Sequence, residues 1–345
     1  MIEDARGNLL QADADALVNT VNTVGFMGKG IALQFKQAYP ENFSAYAQAV
    51  RRGEVRPGHM LVVPTGFVTN PRYIINFPTK RHWRERSRLE DIESGLRALV
   101  GEIQRLGIRS IAIPPLGCGN GGLDWSDVEP RILKALQDVP EVRVLLYGPH
   151  GAPAPEDMPI RTRRPSMTAS RALLLKLMEQ YLGLAYRLTL LEVQKLAYLL
   201  QEAGEPLRLR YEAGHYGPFA SNLNKVLERI AGHLIRGYGD SQKPDVEIRL
   251  LNGAIRVADA FLVSQAESRA RLQRVAEVIE GFETPYGMEL LSSVHWVATH
   301  GGEVHSLDDA VRAVHAWNDR KEKMFSPAHI RVAWSQLVDK GWVRG

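Results

Sequence analysis

Residues Leu17–Tyr39 read LVNTVNTVGFMGKGIALQFKQAY: an apolar strand, two asparagines, a glycine-rich turn and an amphipathic helix. No other stretch restricts the fold as much. Gly25, Gly28 and Gly30 let the backbone come close to a bound group and take positive φ where the turn needs it. The first amides of the following helix then point at that group and favour an anion. A diphosphate suits this arrangement. The spacing is neither a Walker loop nor a dinucleotide fingerprint: the lysine comes too early, no Ser or Thr follows it, and G-x-G-x-x-G is absent.

The strand and helix belong to a longer alternation. Ala16–Asn19, Met60–Pro64, Tyr73–Phe77, Ser110–Pro114 and Val142–Tyr147 are short apolar runs expected as buried strands. Between them, Leu89, Ile92, Leu96, Leu99, Ile103 and Leu106 recur every three or four residues as one helical stripe, with Gly107 as its stop. Ser87 with Glu90, and Ser126 with Glu129, read as capping boxes for two of the helices. Residues 1–148 are therefore expected to fold as a three-layer α/β domain. Residues 149–167 are proline-rich and aperiodic, as a linker would be.

Residues 168–345 read as a second, mainly α-helical domain. Leu174, Leu177, Met178 and Tyr181 form one stripe, Thr189 with Glu192 opens another helix, and Leu223, Leu227 and Ile230 mark a third. Further helices are expected around Leu272–Ile279, Met288–Ala298 and Leu307–Trp317. Asn252-Gly253, between IRLL and AIRV, predicts a small β-hairpin. A length of 345 residues suits two domains. The net charge of +4 permits nucleic-acid contact without requiring it. A single cysteine, Cys118, leaves no intramolecular disulfide and argues against a cysteine-rich zinc site. With no metal-ligand cluster, no cofactor motif, no membrane-length apolar run and no signal-peptide core, a cytoplasmic location is the simplest expectation.

VNTVNTVGFMGKGIA closely resembles the motif of macrodomains, which bind ADP-ribose, and GCGNGG at Gly117–Gly122 follows a strand as their second phosphate-side loop does. The fuller pattern, including NFPTK at Asn76–Lys80, resembles the DarG-type macrodomain antitoxins. These are DNA ADP-ribosyl glycohydrolases that remove ADP-ribose from thymidine in DNA and are paired with the DarT-like toxins that attach it. The resemblance covers about residues 1–150. It implies that Asn22 contacts the distal ribose, and that Gly28, Lys29, Gly30 and Ile31 face the phosphates from one side. Gly117, Cys118, Gly119, Asn120, Gly121 and Gly122 would face them from the other. Asn8 and Leu9 lie where macrodomains meet adenine, although many macrodomains have an aspartate where Asn8 sits. An amide can also accept from the adenine amino group.

Cleaving ADP-ribose from a base leaves positive charge on the sugar and negative charge on the departing base. Lys80, at the end of a strand, matches the lysine of the DarG pattern and, with Asn22, is the expected catalytic residue. As a nucleophile or base it must be neutral, which takes roughly 4–5 kcal/mol of desolvation or neighbouring positive charge. Arg81 and His82 are candidates to supply that charge. Alternatively, a charged Lys80 stabilises the departing thymine. A related human hydrolase has an aspartate in the second loop where this chain has Gly121, and Asp124 is offset from it, so no role is assigned to Asp124. Cys118 reads as a small packing residue.

Leu188–Phe219, with Val193–Leu196 and the HYGPF turn at His215–Phe219, resembles the Panacea or SocA-like domain of toxin–antitoxin proteins. The DarG resemblance implies that this C-terminal domain binds the toxin. The DarG resemblance also implies that the N-terminal domain hydrolyses the glycosidic bond between ADP-ribose and thymidine in single-stranded DNA. Rival readings are a non-catalytic ADP-ribose-binding module and a hydrolase of O-acyl-ADP-ribose or protein ADP-ribosyl esters. A competing view of Phe325–Gly345 is a helix-turn-helix or winged module on operator DNA, although Trp334, Leu337 and Val338 suit packing better.

Overall fold

Odd and even positions of the central strands face different cores, and this alternation builds the N-terminal unit. Ala16, Val18, Ile75, Phe77, Ile111, Ile113, Val144 and Leu146 lie in one buried cluster, with the helix stripe Ile92–Ile103 and with Val128 and Ile132. Leu17, Ile74, Ala112 and Leu145 point the other way, toward Leu9, Leu10, Phe35, Ala38 and Tyr39. The computed structural model describes residues 1–150, 158–185, 187–239, 245–302 and 304–344. They fall into two compact units. One comprises Met1–Arg163 with a short return at Gly239, and the other begins at Arg164.

The N-terminal strands are β1 (Ile2–Ala5), β2 (Ala16–Asn22), β3 (Leu61–Pro64), β4 (Tyr73–Lys80), β5 (Ser110–Ile113) and β6 (Arg143–Tyr147). Its helices are α1 (Gly30–Ala38), α2 (Pro40–Arg51), α3 (Leu89–Leu106) and α4 (Trp125–Ala135). The six-stranded sheet runs β1-β6-β5-β2-β4-β3. All pairs are parallel except β3 on β4, at the edge. Helices on both faces make three layers, as expected. β2 and β4 extend three residues further than their apolar runs suggested, and so reach Asn22 and Lys80.

Neither N-terminal capping box forms. The α3 cap is Arg88, and Ser87 instead donates its amide to the Gly121 carbonyl at 2.9 Å, so it serves the second glycine loop. The chain leaves that loop directly into α4 with Asp124 at the cap, which places Ser126 inside the first turn. Of the expected linker, residues 151–157 lie outside the described residues. Met158 beyond them is buried with Leu9, Phe35 and Tyr39, and the Arg161 guanidinium lies over the rings of Tyr39 and Phe67.

The second unit is mainly helical: α5 (Ala169–Leu184), α6 (Leu190–Glu202), α7 (Leu223–Ile230), α8 (Ala254–Leu262), α9 (Ala266–Ile279), α10 (Pro285–His300), α11 (Leu307–Trp317), α12 (Asp319–Met324) and α13 (Pro327–Asp339). Its hairpin joins β7 (Tyr211–Gly214) to β8 (Gly217–Ala220) through His215 and Tyr216. Asn252-Gly253 is not a hairpin. Gly253, at φ +79°, caps α8, because Ala254, Ala258 and Leu262 form a buried helical stripe. The preceding strand, Arg249–Leu250, pairs instead with Ile235–Arg236. The Thr189 box does form: the Glu192 carboxylate accepts from the Thr189 amide at 3.0 Å. Trp334 and Leu337 of α13 are buried and Val338 is half-buried. No helix among the described residues is long and apolar enough to cross a membrane.

Candidate active site

Parallel register brings the two expected catalytic residues together. Asn22 ends β2, Lys80 ends β4, and a shift in the ladder between Val21 and Asn22 makes them direct neighbours. Carboxyl ends of parallel strands are where open α/β sheets place ligands. Lys80 is half-buried, and burial alone holds its amine below the ordinary lysine value. Arg81 does not add positive charge to this effect. Its guanidinium is spent on the buried carboxylate of Asp91, at 3.1 and 3.2 Å. The Lys80 ammonium donates to the carbonyl of Asn120, which joins it to the second glycine loop.

The Asn22 side chain organises the first loop. Its amide oxygen accepts from the Val24 and Phe26 amides at 3.0 and 3.2 Å, and its NH₂ donates to the Phe26 carbonyl at 2.6 Å. Fully buried Tyr46 on α2 donates to the Asn22 carbonyl at 2.7 Å. Nothing in the sequence marked Tyr46, because it reads as one more apolar position of a helix. Asn19 and Asn76 are also buried neighbours in register. Asn19 Nδ2 donates to Asn76 Oδ1 at 2.9 Å, and the Asn76 and Asn42 amides bond each other at 2.7 and 3.1 Å. The asparagines of NTVNTV and NFPTK thus include a structural clamp between β2, β4 and α2.

The two glycine loops meet. Gly30 opens α1 at φ +57°, and a Cβ there would stand 2.9 Å from Asn120 Nδ2. Lys29 caps α1 without a side-chain bond, so the helix amides receive no acceptor from it. Its own amine is half-buried and depressed by that burial. The Gly30 amide donates to the carbonyl of Gly239 at 2.6 Å. Gly28 precedes this turn, and Ile31 is half-buried beneath it against the α1 core. In the second loop Gly117 and Gly122 take φ of +73° and +72°. Gly121 packs on the Gly117 carbonyl, whereas a Cβ at Gly119 would meet open space. Burial, then the charge of Asp124, pushes the Cys118 thiol up to about 11. It donates to the Leu116 carbonyl at 3.5 Å and is no nucleophile at neutral pH.

Asn8 and Leu9 lie apart from the glycine loops in sequence, in a short turn after β1. Asn8 Oδ1 caps the turn by accepting from the Leu10 amide at 3.0 Å, and Leu9 is buried in the α1-side core. Among the described residues, no group of three or more His, Cys, Asp or Glu side chains gathers to hold a metal ion.

The chain is similar to several known proteins. Residues 18–132 match the Macro domain family model. A DNA ADP-ribosyl glycohydrolase of Thermus aquaticus is 47% identical over all of this chain and 95% of its own length. A DNA ADP-ribosyl transferase–DNA ADP-ribosyl glycohydrolase fusion protein of Thermosipho africanus is 34% identical over 41% of this chain and 40% of its own. Among solved structures, the macrodomain of Mycobacterium tuberculosis DarG is 58% identical, covering 43% of this chain and 98% of that one, with a TM-score of 0.43.

Proposed function

The chain belongs to the DNA ADP-ribosyl glycohydrolase family, and we propose that it removes ADP-ribose from a base in single-stranded DNA and also restrains the transferase that adds it. The observation that carries the first part is the register pairing of Asn22 with Lys80 between two glycine loops. In the proposed reaction water adds to the anomeric carbon as the bond from that carbon to the base breaks. The proton from water ends on the base, so ADP-ribose and unmodified DNA are released. The glycine loops hold the diphosphate through backbone amides other than that of Gly30, which is bonded to the Gly239 carbonyl. Asn22 keeps the first loop in shape beside the distal ribose.

Lys80 acts in this reading as an ammonium that donates to the departing base. Half-burial depresses its pKa, but Arg81 is neutralised by Asp91 and supplies no further push toward the neutral amine. A cation in a partly dry site is well placed to meet negative charge developing on a leaving group. Removing such a group costs about 10²–10⁴-fold in rate. Lys80→Ala is therefore expected to lower ADP-ribose release from a thymidine-ADP-ribosylated oligonucleotide by that factor while ADP-ribose still binds. Lys80→Arg is expected to retain part of the activity. Absence of any ADP-ribose release by the wild-type chain would sink the glycohydrolase reading.

The second part rests on the length of the likeness. Identity to the Thermus aquaticus protein runs through the C-terminal unit as well as the N-terminal one. The Thermosipho africanus relative unites transferase and glycohydrolase in a single chain. We assign toxin binding to the C-terminal unit. The full chain carrying Lys80→Ala should still suppress modification of DNA by the cognate transferase, since binding does not need turnover. Unhindered modification in its presence would refute restraint by binding.

A further inference from the structure

Three residues beyond Lys80 the chain places a tryptophan, and four beyond Asn22 a phenylalanine. The two rings stack: Phe26 and Trp83 lie 5.7 Å apart between centroids at 27°. Because Asn22 and Lys80 are register partners, this pair joins the two segments that leave the catalytic strand ends. Phe26 nevertheless stays 45% exposed, so the stack keeps an open aromatic surface. The Arg84 guanidinium lies 4.6 Å from the Trp83 ring centroid, and His82 packs at 5.5 Å.

The surrounding charge selects the occupant. Residues 81–88 read RHWRERSR. Arg81 is held by Asp91, while Arg84, Arg86 and Arg88 are exposed beside a single acidic residue, Glu85. Arg86 lies against the second glycine loop, its Nε 3.2 Å from where a Cβ at Gly122 would be. Open π-surface rimmed by arginines is the chemistry of a single-stranded nucleic-acid platform: bases stack on the rings and the cations follow the phosphates. An ADP-ribose unit alone needs no such surface outside the glycine loops, because its diphosphate is met by backbone amides.

We propose that Phe26 and Trp83 form a stacking platform for a nucleobase flanking the modified nucleotide, with Arg84 and Arg86 on the adjoining phosphates. The proposal rests on the glycohydrolase reading and adds to it that the enzyme grips the strand as well as the ADP-ribosyl group.

The experiment compares two substrates of the full-length chain: ADP-ribosyl-thymidine as a free nucleoside, and the same adduct within a single-stranded oligonucleotide of about ten nucleotides, a usual site size. Wild type should prefer the oligonucleotide in kcat/KM. Trp83→Ala and Phe26→Ala should each cut that preference by about tenfold, mainly through KM. For Trp83→Ala, kcat/KM on the nucleoside should stay within about twofold of wild type, which also reports an intact fold. Trp83→Tyr should restore the preference. An unchanged preference in both alanine variants would overturn the platform, and so would equal losses on the two substrates in Trp83→Ala. Wild-type turnover of neither substrate would instead remove the glycohydrolase reading, and the platform with it.

Discussion

Replacing Gly121 by alanine tests how tightly the second loop is built. A Cβ at this position would stand 2.1 Å from the Gly117 carbonyl oxygen, 2.7 Å from its carbon and 2.4 Å from Ser87 Oγ. The first two neighbours are backbone, so no side-chain rotation relieves them. The loop must open by about 1 Å to regain ordinary contact, and overpacking of this kind costs about 1–3 kcal/mol. That opening also pulls on the 2.9 Å bond from the Ser87 amide to the Gly121 carbonyl and the 3.1 Å bond from Leu123 to Gly117. For a unit of this size, melting should fall by about 2–12 °C. Gly119→Ala is the matched control. A Cβ there meets nothing within 4 Å, so its stability should hold to within about ±0.5 kcal/mol of wild type. Its ADP-ribose affinity should drop, because the added methyl fills the space a diphosphate needs. Calorimetry of both variants, with titration of ADP-ribose, separates the two effects. Wild-type melting of Gly121→Ala would refute the packing argument, and wild-type affinity of Gly119→Ala would refute the loop's place at the diphosphate.

Two other substitutions probe the fold around the sites. Gly95 on α3 sits against fully buried Phe77 of β4, where a Cβ would lie 2.2 Å from the ring. Gly95→Ala should cost about 1–3 kcal/mol and much less in a Phe77→Leu background. Additive losses in that double-mutant cycle would contradict the contact. In the C-terminal unit, fully buried Lys195 donates to the Pro218 carbonyl at 2.7 Å, and burial, then the charge of Lys321, lowers its pKa to about 7. The unfolded chain holds that proton up to the ordinary value of 10.5, so between those limits it binds more protons than the folded chain. Stability therefore rises with pH across the window, by about 2 kcal/mol from pH 7 to pH 9. Unfolding curves of Lys195→Met should lack this rise, and identical pH dependence in variant and wild type would exclude a neutral Lys195.

Local chemistry made much of the N-terminal unit legible. Apolar runs of strand length and one long helical stripe specify layers, because each must bury a face, and glycines at 25, 28 and 30 announce a turn whose backbone can approach a bound group closely. Caps were legible only where nothing else competed for the residue. Thr189 and Glu192 close their box within one buried turn. Ser87 has the same pattern, but its amide is drawn to Gly121, more than thirty residues on. Asn252-Gly253 misled for a related reason: the choice between hairpin and helix cap depended on which strand Arg249–Leu250 would pair with, and that partner is Ile235–Arg236 upstream rather than the residues just past the turn.

The sequence by itself determined the alternation of elements and the two glycine loops, and its likeness to a known family singled out Lys80 as the candidate catalytic lysine. Only the tertiary structure decided what surrounds that lysine. Strand register sets Asn22 beside Lys80, Tyr46 fixes the Asn22 backbone from another helix, Asp91 neutralises Arg81, and Phe26 meets Trp83 across two loops. Three of these are pairings between segments far apart in the chain, and the fourth joins a loop to a helix ten residues on. A residue type and its local spacing carry the energy of a turn or a helix, whereas the charge, burial and reach of a side chain depend on neighbours that only folding supplies.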